Sequence, residues 1–195
     1  MSDHYELLID HDASPVNASA IGKALIDVLI AEEIVLPDVN PDCVLAGVGF
    51  PPGPRLREIY TYGKSELRYW DMLQTIGVSV HTDRYVNWFG FPVFEYSSCP
   101  ACRTRFSDNH PIMDAIYDGV GSFINDDQLD EIVCPSCSAH VQCDHWTTVP
   151  DIGFCYVAIE FWNWPSFTST GWQWSIPDLL RERTRRKLIH SWGHI

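Results

Sequence analysis

Residues 134–145 read CPSCSAHVQCDH, three cysteines and two histidines within twelve positions, a density that apolar packing does not require. Upstream, SSCPACRTRF at residues 97–106 repeats the opening of that stretch. Cys99 and Cys102 stand at the same spacing as Cys134 and Cys137, and each pair has proline directly after its first cysteine. A CPxC turn presents two sulfurs to one ion from a tight knuckle whose backbone N–H groups can also hydrogen-bond sulfur. Two such knuckles complete one tetrahedral shell, so Cys99, Cys102, Cys134 and Cys137 are the expected ligands of one Zn2+. Four thiolates leave no open position for water, and the metal is therefore expected to be structural.

Other donors lie close by. His110, His140, Cys143 and His145 compete, and a Cys3His set using His140 or Cys143 is the alternative. The plainer reading of Cys43, Cys143 and Cys155 is a small buried side chain, and that of the three histidines is surface polarity. A redox role for the CxxC pairs explains the duplication less well than one shared ion does.

The paired knuckles, flanked by the strand-like stretches FPVFEYSS, LDEIV and SAHVQ, resemble the zinc ribbon family over residues 93–145. The resemblance implies two hairpins clamped on zinc. The chain departs from it in spacing: 31 residues separate Cys102 from Cys134, more than many ribbons have, so NHPIMDAIYDGVGSFINDDQ must loop out and can carry a helix.

Outside this region the sequence alternates strand and helix signals. YELLID sets Tyr5, Leu7 and Ile9 against Glu6 and Asp10, the period of a half-buried strand. The following segment places Ile21, Leu25, Val28 and Leu29 at helical spacing, with Ser14 and Pro15 suited to its start and Pro37 to its stop. CVLAGVGF reads as a buried strand, SELRYWDMLQTIG as a short helix, and VSVHTDRYVNWFGF as a strand or hairpin. GFCYVAIEFWNWP is the clearest strand, with Cys155, Val157, Ile159 and Phe161 on one face and Tyr156, Ala158, Glu160, Trp162 and Trp164 on the other. IPDLLRERTRR predicts a helix and KLIHSWGHI a terminal strand. Without a regular βαβ rhythm the expected class is α+β: a single domain over 1–195, a mixed sheet with a few helices, and a zinc ribbon inserted at 93–145.

Charge narrows the function. The chain carries a net −13, and from Phe106 to Leu180 it has no lysine or arginine. Such a surface repels phosphates, which makes nucleic acid an unfavourable partner and a basic protein a favourable one. Asp126, Asp127, Asp130 and Glu131 are the candidate contacts, with Trp162 and Trp164 as aromatic anchors; burial of both tryptophans under a helix is the competing reading. The opening MSDHYELLIDHD has neither a basic nor an apolar leader region, and no run is long enough for a membrane helix, so a cytosolic chain with no membrane partner is expected. There is no HExxH, GxSxG, Walker loop or GxGxxG, and the prolines of GVGFPPGPR remove the amide donors a phosphate cradle needs. Small, acidic and α+β, the chain resembles in overall character the immunity proteins that bacteria make against interbacterial toxins. That likeness implies a non-catalytic cytosolic protein that binds and neutralises a toxin domain. The alternatives are a zinc-ribbon module associated with nucleic acid or transcription, and an enzyme with an unrecognised site.

Overall fold

The computed structural model describes residues 3–61, 73, 75–87, 95–126, 128–149 and 151–194. In chain order the first elements are β1 (His4–Asp10), α1 (Ala18–Ala31), α2 (Leu56–Ile59) and β2 (Gly77–His81). Then follow β3 (Tyr85–Asn87), β4 (Tyr96–Ser98), β5 (Arg105–Ser107), α3 (Ile112–Asp126), β6 (Glu131–Val133), β7 (His140–Gln142), β8 (Thr147–Val149) and β9 (Gly153–Cys155). The chain ends with β10 (Val157–Trp162), α4 (Ile176–Thr184) and β11 (Leu188–His194). The class is α+β. Contacts divide the chain into two compact units, one formed by residues 1–83 with 155–195 and the other by 84–154, which interrupts it in sequence.

The first unit is built on a four-stranded sheet ordered β11-β1-β10-β2, with every pairing antiparallel. Leu8 lies opposite Ile159, and these two join Val78, Val157, Phe161 and Leu188 in a core with Leu25, Leu29 and Leu180 of α1 and α4. α1 buries Ala18, Gly22, Leu25, Ile26 and Leu29, the stripe of a helix lying on a sheet. At Gly22 an added Cβ would stand 2.3 Å from Thr82 Cγ2, so the helix approaches the end of β2 too closely for a side chain there. The helix begins later than Ser14 and Pro15 suggest. The Ser14 amide donates to Asn17 Oδ1 at 2.8 Å, forming a turn that delays the helix to Ala18. α4 is capped by Ser175, whose hydroxyl accepts from the Asp178 amide, and ends at Arg185 in the left-handed region.

β10 is buried on both faces, and the charged side chains of this sheet are paired. Asp10, wholly buried, receives Arg186 in a bidentate pair, Nη2 to Oδ1 at 2.9 Å. Glu6 meets His190 Nε2 at 2.6 Å, and Glu160 meets His81 Nε2 at 2.8 Å and accepts from Ser79 at 3.1 Å. A carboxylate removed from water needs such partners.

CVLAGVGF is not a strand. Cys43 ends a short 3-10 turn, Leu45 and Val48 are exposed, and pairing is limited to isolated bridges of Asn40 with Gly49 and of Phe50 with Val78. Gly47, at φ 78°, bends the chain where an extended strand would have to continue. Most of SELRYWDMLQTIG, and residues 88–91 of the following hairpin stretch, lie outside the described residues.

The second unit has small sheets, β5-β4-β8 and β6-β7, around α3. Ile112, Met113, Ile116, Val120 and Phe123 are the buried positions of the helix, and the first four of these pack with Phe106, Ile132, Val141, Trp146 and Ile152. At Gly119 a Cβ would fall 2.6 Å from Cys143 Sγ, which explains the missing side chain on that face.

Candidate metal centre

Each CPxC turn is closed by the same backbone bonds. Arg103 N–H donates to Cys99 O at 2.8 Å and Cys99 N–H to Thr104 O at 3.1 Å; Ser138 N–H donates to Cys134 O at 2.8 Å and Cys134 N–H to Ala139 O at 2.9 Å. In both, the residue after the second cysteine is left-handed, Arg103 at φ 61° and Ser138 at φ 58°. The two knuckles are thus local copies of one turn, and their prolines sit where no amide is needed. Strands β4 and β5 carry the first and β6 and β7 the second.

The Sγ atoms of Cys99, Cys102, Cys134 and Cys137 all lie within 4.8 Å of one another. The Cys102–Cys134 separation is 3.8 Å. A tetrahedral ion with metal–sulfur bonds of about 2.3 Å requires sulfur–sulfur edges of about 3.8 Å, the length of the Cys102–Cys134 edge. Cys99 and Cys134 are buried, Cys102 is half-buried and Cys137 exposed. The four residues fit a structural metal ion. Among the described residues no other histidine, cysteine or carboxylate group converges in this way.

The environment differentiates the sulfurs. The Thr104 hydroxyl and then its amide lower the Cys102 thiol to about 6. At Cys137, exposed though it is, the Ala139 amide favours the thiolate, but local desolvation within the sulfur cluster and the three neighbouring sulfurs outweigh it and push the thiol up to about 12. Like charges crowded into one shell resist joint ionisation, and a divalent cation is what relieves that resistance. Thr104 Oγ1 also lies 3.1 Å from Ser136 Oγ, tying the knuckles together outside the sulfurs. Sequence reasoning passed over Thr104; its place two residues after the second cysteine was the available signal.

Three of the four competing donors are engaged elsewhere. Cys143 donates to Ile116 O, and burial, reinforced by Asp144 and Asp130, pushes its thiol up to about 12. His110 Nδ1 accepts from the Ile112 amide at the start of α3, and His140 faces Glu131 at 3.4 Å across the β6–β7 pair. His145 is exposed.

The residues expected to meet a partner are distributed differently. Asp130 accepts from Ser122 at 2.6 Å, and Glu131 is exposed. Asp127, and the side chain of Asp126, lie outside the described residues. Trp162 is 5% exposed and Trp164 fully buried, the latter packing edge-on to Phe161 at 5.1 Å, so in this conformation both serve the first unit's interior. β10, which ends at Trp162, is buried on both faces, which alternation alone does not reveal, and Trp164 lies beyond it after the left-handed Asn163. No helix is long and apolar enough to cross a membrane among the described residues. Compared with protein-family models, curated proteins and solved structures, the chain matches none of them.

Proposed function

We propose that Cys99, Cys102, Cys134 and Cys137 hold one structural Zn2+, and that the segment around them is a zinc-ribbon-like insertion in a non-catalytic cytosolic binding protein. The observation that carries the metal reading is the convergence of four sulfurs within 4.8 Å of one another, supplied by two turns with the same backbone bonds. With every donor a thiolate, the ion has no free position at which to activate water or polarise a substrate. Its contribution is to folding.

The binding reading rests on charge. The lysine- and arginine-free stretch from Phe106 to Leu180 favours a basic protein, and the chain's acidic α+β character is that of an immunity protein against a toxin domain. Purified protein is expected to contain one zinc per chain by elemental analysis, lost in Cys99→Ser. Metal-free, folded wild-type protein overturns the metal reading. For the immunity role, co-expression with the product of the adjacent gene should protect cells and yield a complex; absence of both protection and complex overturns it.

A further inference from the structure

Between α3 and β6 the second unit has a groove of about 490 Å³, lined on the helix by Ile112, Ala115 and Asp118 and on the strand side by Asp130, Glu131 and Val133. Three observations about it converge. The first is backbone valence. Cys143 N–H donates to Asp130 O at 2.9 Å and Cys134 N–H to Ala139 O at 2.9 Å, which brackets the β6–β7 ladder. In an antiparallel pair alternate residues bond across, so Asp130, Ile132 and Cys134 face β7 while the amides and carbonyls of Glu131 and Val133 point to the other edge. Among the described residues no other strand pairs with β6.

The second is apolar exposure: Val133 is 49% exposed beside Ala115 in the lining. The third is charge. Asp118, Asp130 and Glu131 line the groove and no lysine or arginine does. The chain's own basic run is not the natural occupant, because Arg181, Arg183 and Arg186 are held within their own unit by Leu188 O, Glu32 and Asp10.

We infer that this groove docks an extended segment of a partner protein bearing alternating basic and apolar side chains, which adds as a strand to the outer edge of β6. Main-chain hydrogen bonds to Glu131 and Val133 supply affinity, and the three carboxylates select lysine or arginine at alternate positions. This rests on the reading of the chain as a binding protein for a basic partner, and it names the surface that does the binding.

The test uses the full-length, zinc-loaded protein and a fluorescein-labelled peptide of alternating lysine and valine. The peptide should bind at least about tenfold more tightly than its glutamate–valine counterpart and than a copy N-methylated on alternate amides, which cannot complete the strand pairing. Asp118→Lys with Glu131→Lys should weaken binding at least about tenfold while one zinc per chain is retained. The Glu131 and Val133 amide resonances should shift on titration. Equal binding of the N-methylated peptide, or no loss in the double variant, overturns the proposal. So does a concentration-dependent dimer dispersed by Val133→Lys, which would make the occupant a second copy. Protection in co-expression that survives the double variant rejects this groove and leaves the binding function standing; peptide binding without protection does the reverse.

Discussion

Replacing Cys134 by serine tests the metal centre and the stability of its unit together. Cys134 is wholly buried, its sulfur stands 3.8 Å from that of Cys102, and its own amide and carbonyl close the second knuckle. Structural zinc bound by such a shell contributes about 10–16 kcal/mol, and in small units that energy is folding energy. The apolar core available to residues 84–154 is modest; below about 70–80 residues a core rarely supplies more than about 3–5 kcal/mol. The metal term therefore exceeds the core term. Serine is a poor zinc ligand at neutral pH, so the variant is expected to lose the ion and, with it, the ordered packing of α3 against β6 and β7. The sheet of the first unit, which contains none of the four sulfurs, should persist. Elemental analysis and amide hydrogen exchange read the two effects separately: zinc should fall below stoichiometry, protection should vanish in Ile112–Asp126 and remain in His4–Asp10 and Val157–Trp162. Cys43→Ser, outside the tetrad, should keep its zinc. A Cys134→Ser protein that retains a full equivalent of zinc refutes the ligand assignment. One that loses zinc with α3 protection unchanged refutes the claim that the metal holds the unit.

Other expectations follow from single contacts. Arg186→Ala leaves the wholly buried Asp10 carboxylate without its partner and should cost about 3–5 kcal/mol by urea unfolding, with Asp10→Asn milder because the Asp12 amide retains an acceptor; equal effects would argue against the pair. Burial, then Asp144 and Asp130, raises the Cys143 thiol from 9.0 to about 12, so the folded state holds a proton that the unfolded state releases. That stabilisation is complete below about pH 9 and declines by about 1.4 kcal/mol per pH unit up to about 12; Cys143→Ala should flatten the alkaline slope of stability, and an unchanged slope counts against it. Trp164→Ala should cost about 3–5 kcal/mol, whereas Trp192→Ala, at an exposed edge-strand position, should stay within about 0.5 kcal/mol; calorimetry that reversed this order would contradict the burial pattern.

The sequence by itself determined the features set by local chemistry. Two CPxC turns specify their own backbone bonds wherever they occur, so the four sulfurs could be paired with one ion before any fold was known. The helix in the long spacer, α1 and the strands β1, β10 and β11 were legible for the same reason, since their apolar period is a property of a few consecutive residues. CVLAGVGF deceived that reading because apolar content does not report backbone direction, and Gly47 bends the chain within it. Only the tertiary structure decided what depends on residues distant in sequence. The sheet order β11-β1-β10-β2 brings the chain's two ends side by side, and with them Glu6 to His190 and Asp10 to Arg186. It also decided the tryptophans. Alternation placed Trp162 on one face of its strand, but whether that face meets solvent or protein depends on what packs over it, and both faces of β10 proved buried. The outer edge of β6 divides between the two: the Cys134–Ala139 bond of the second knuckle sets which carbonyls point away from β7, but only the tertiary structure shows that no other strand among the described residues pairs with them.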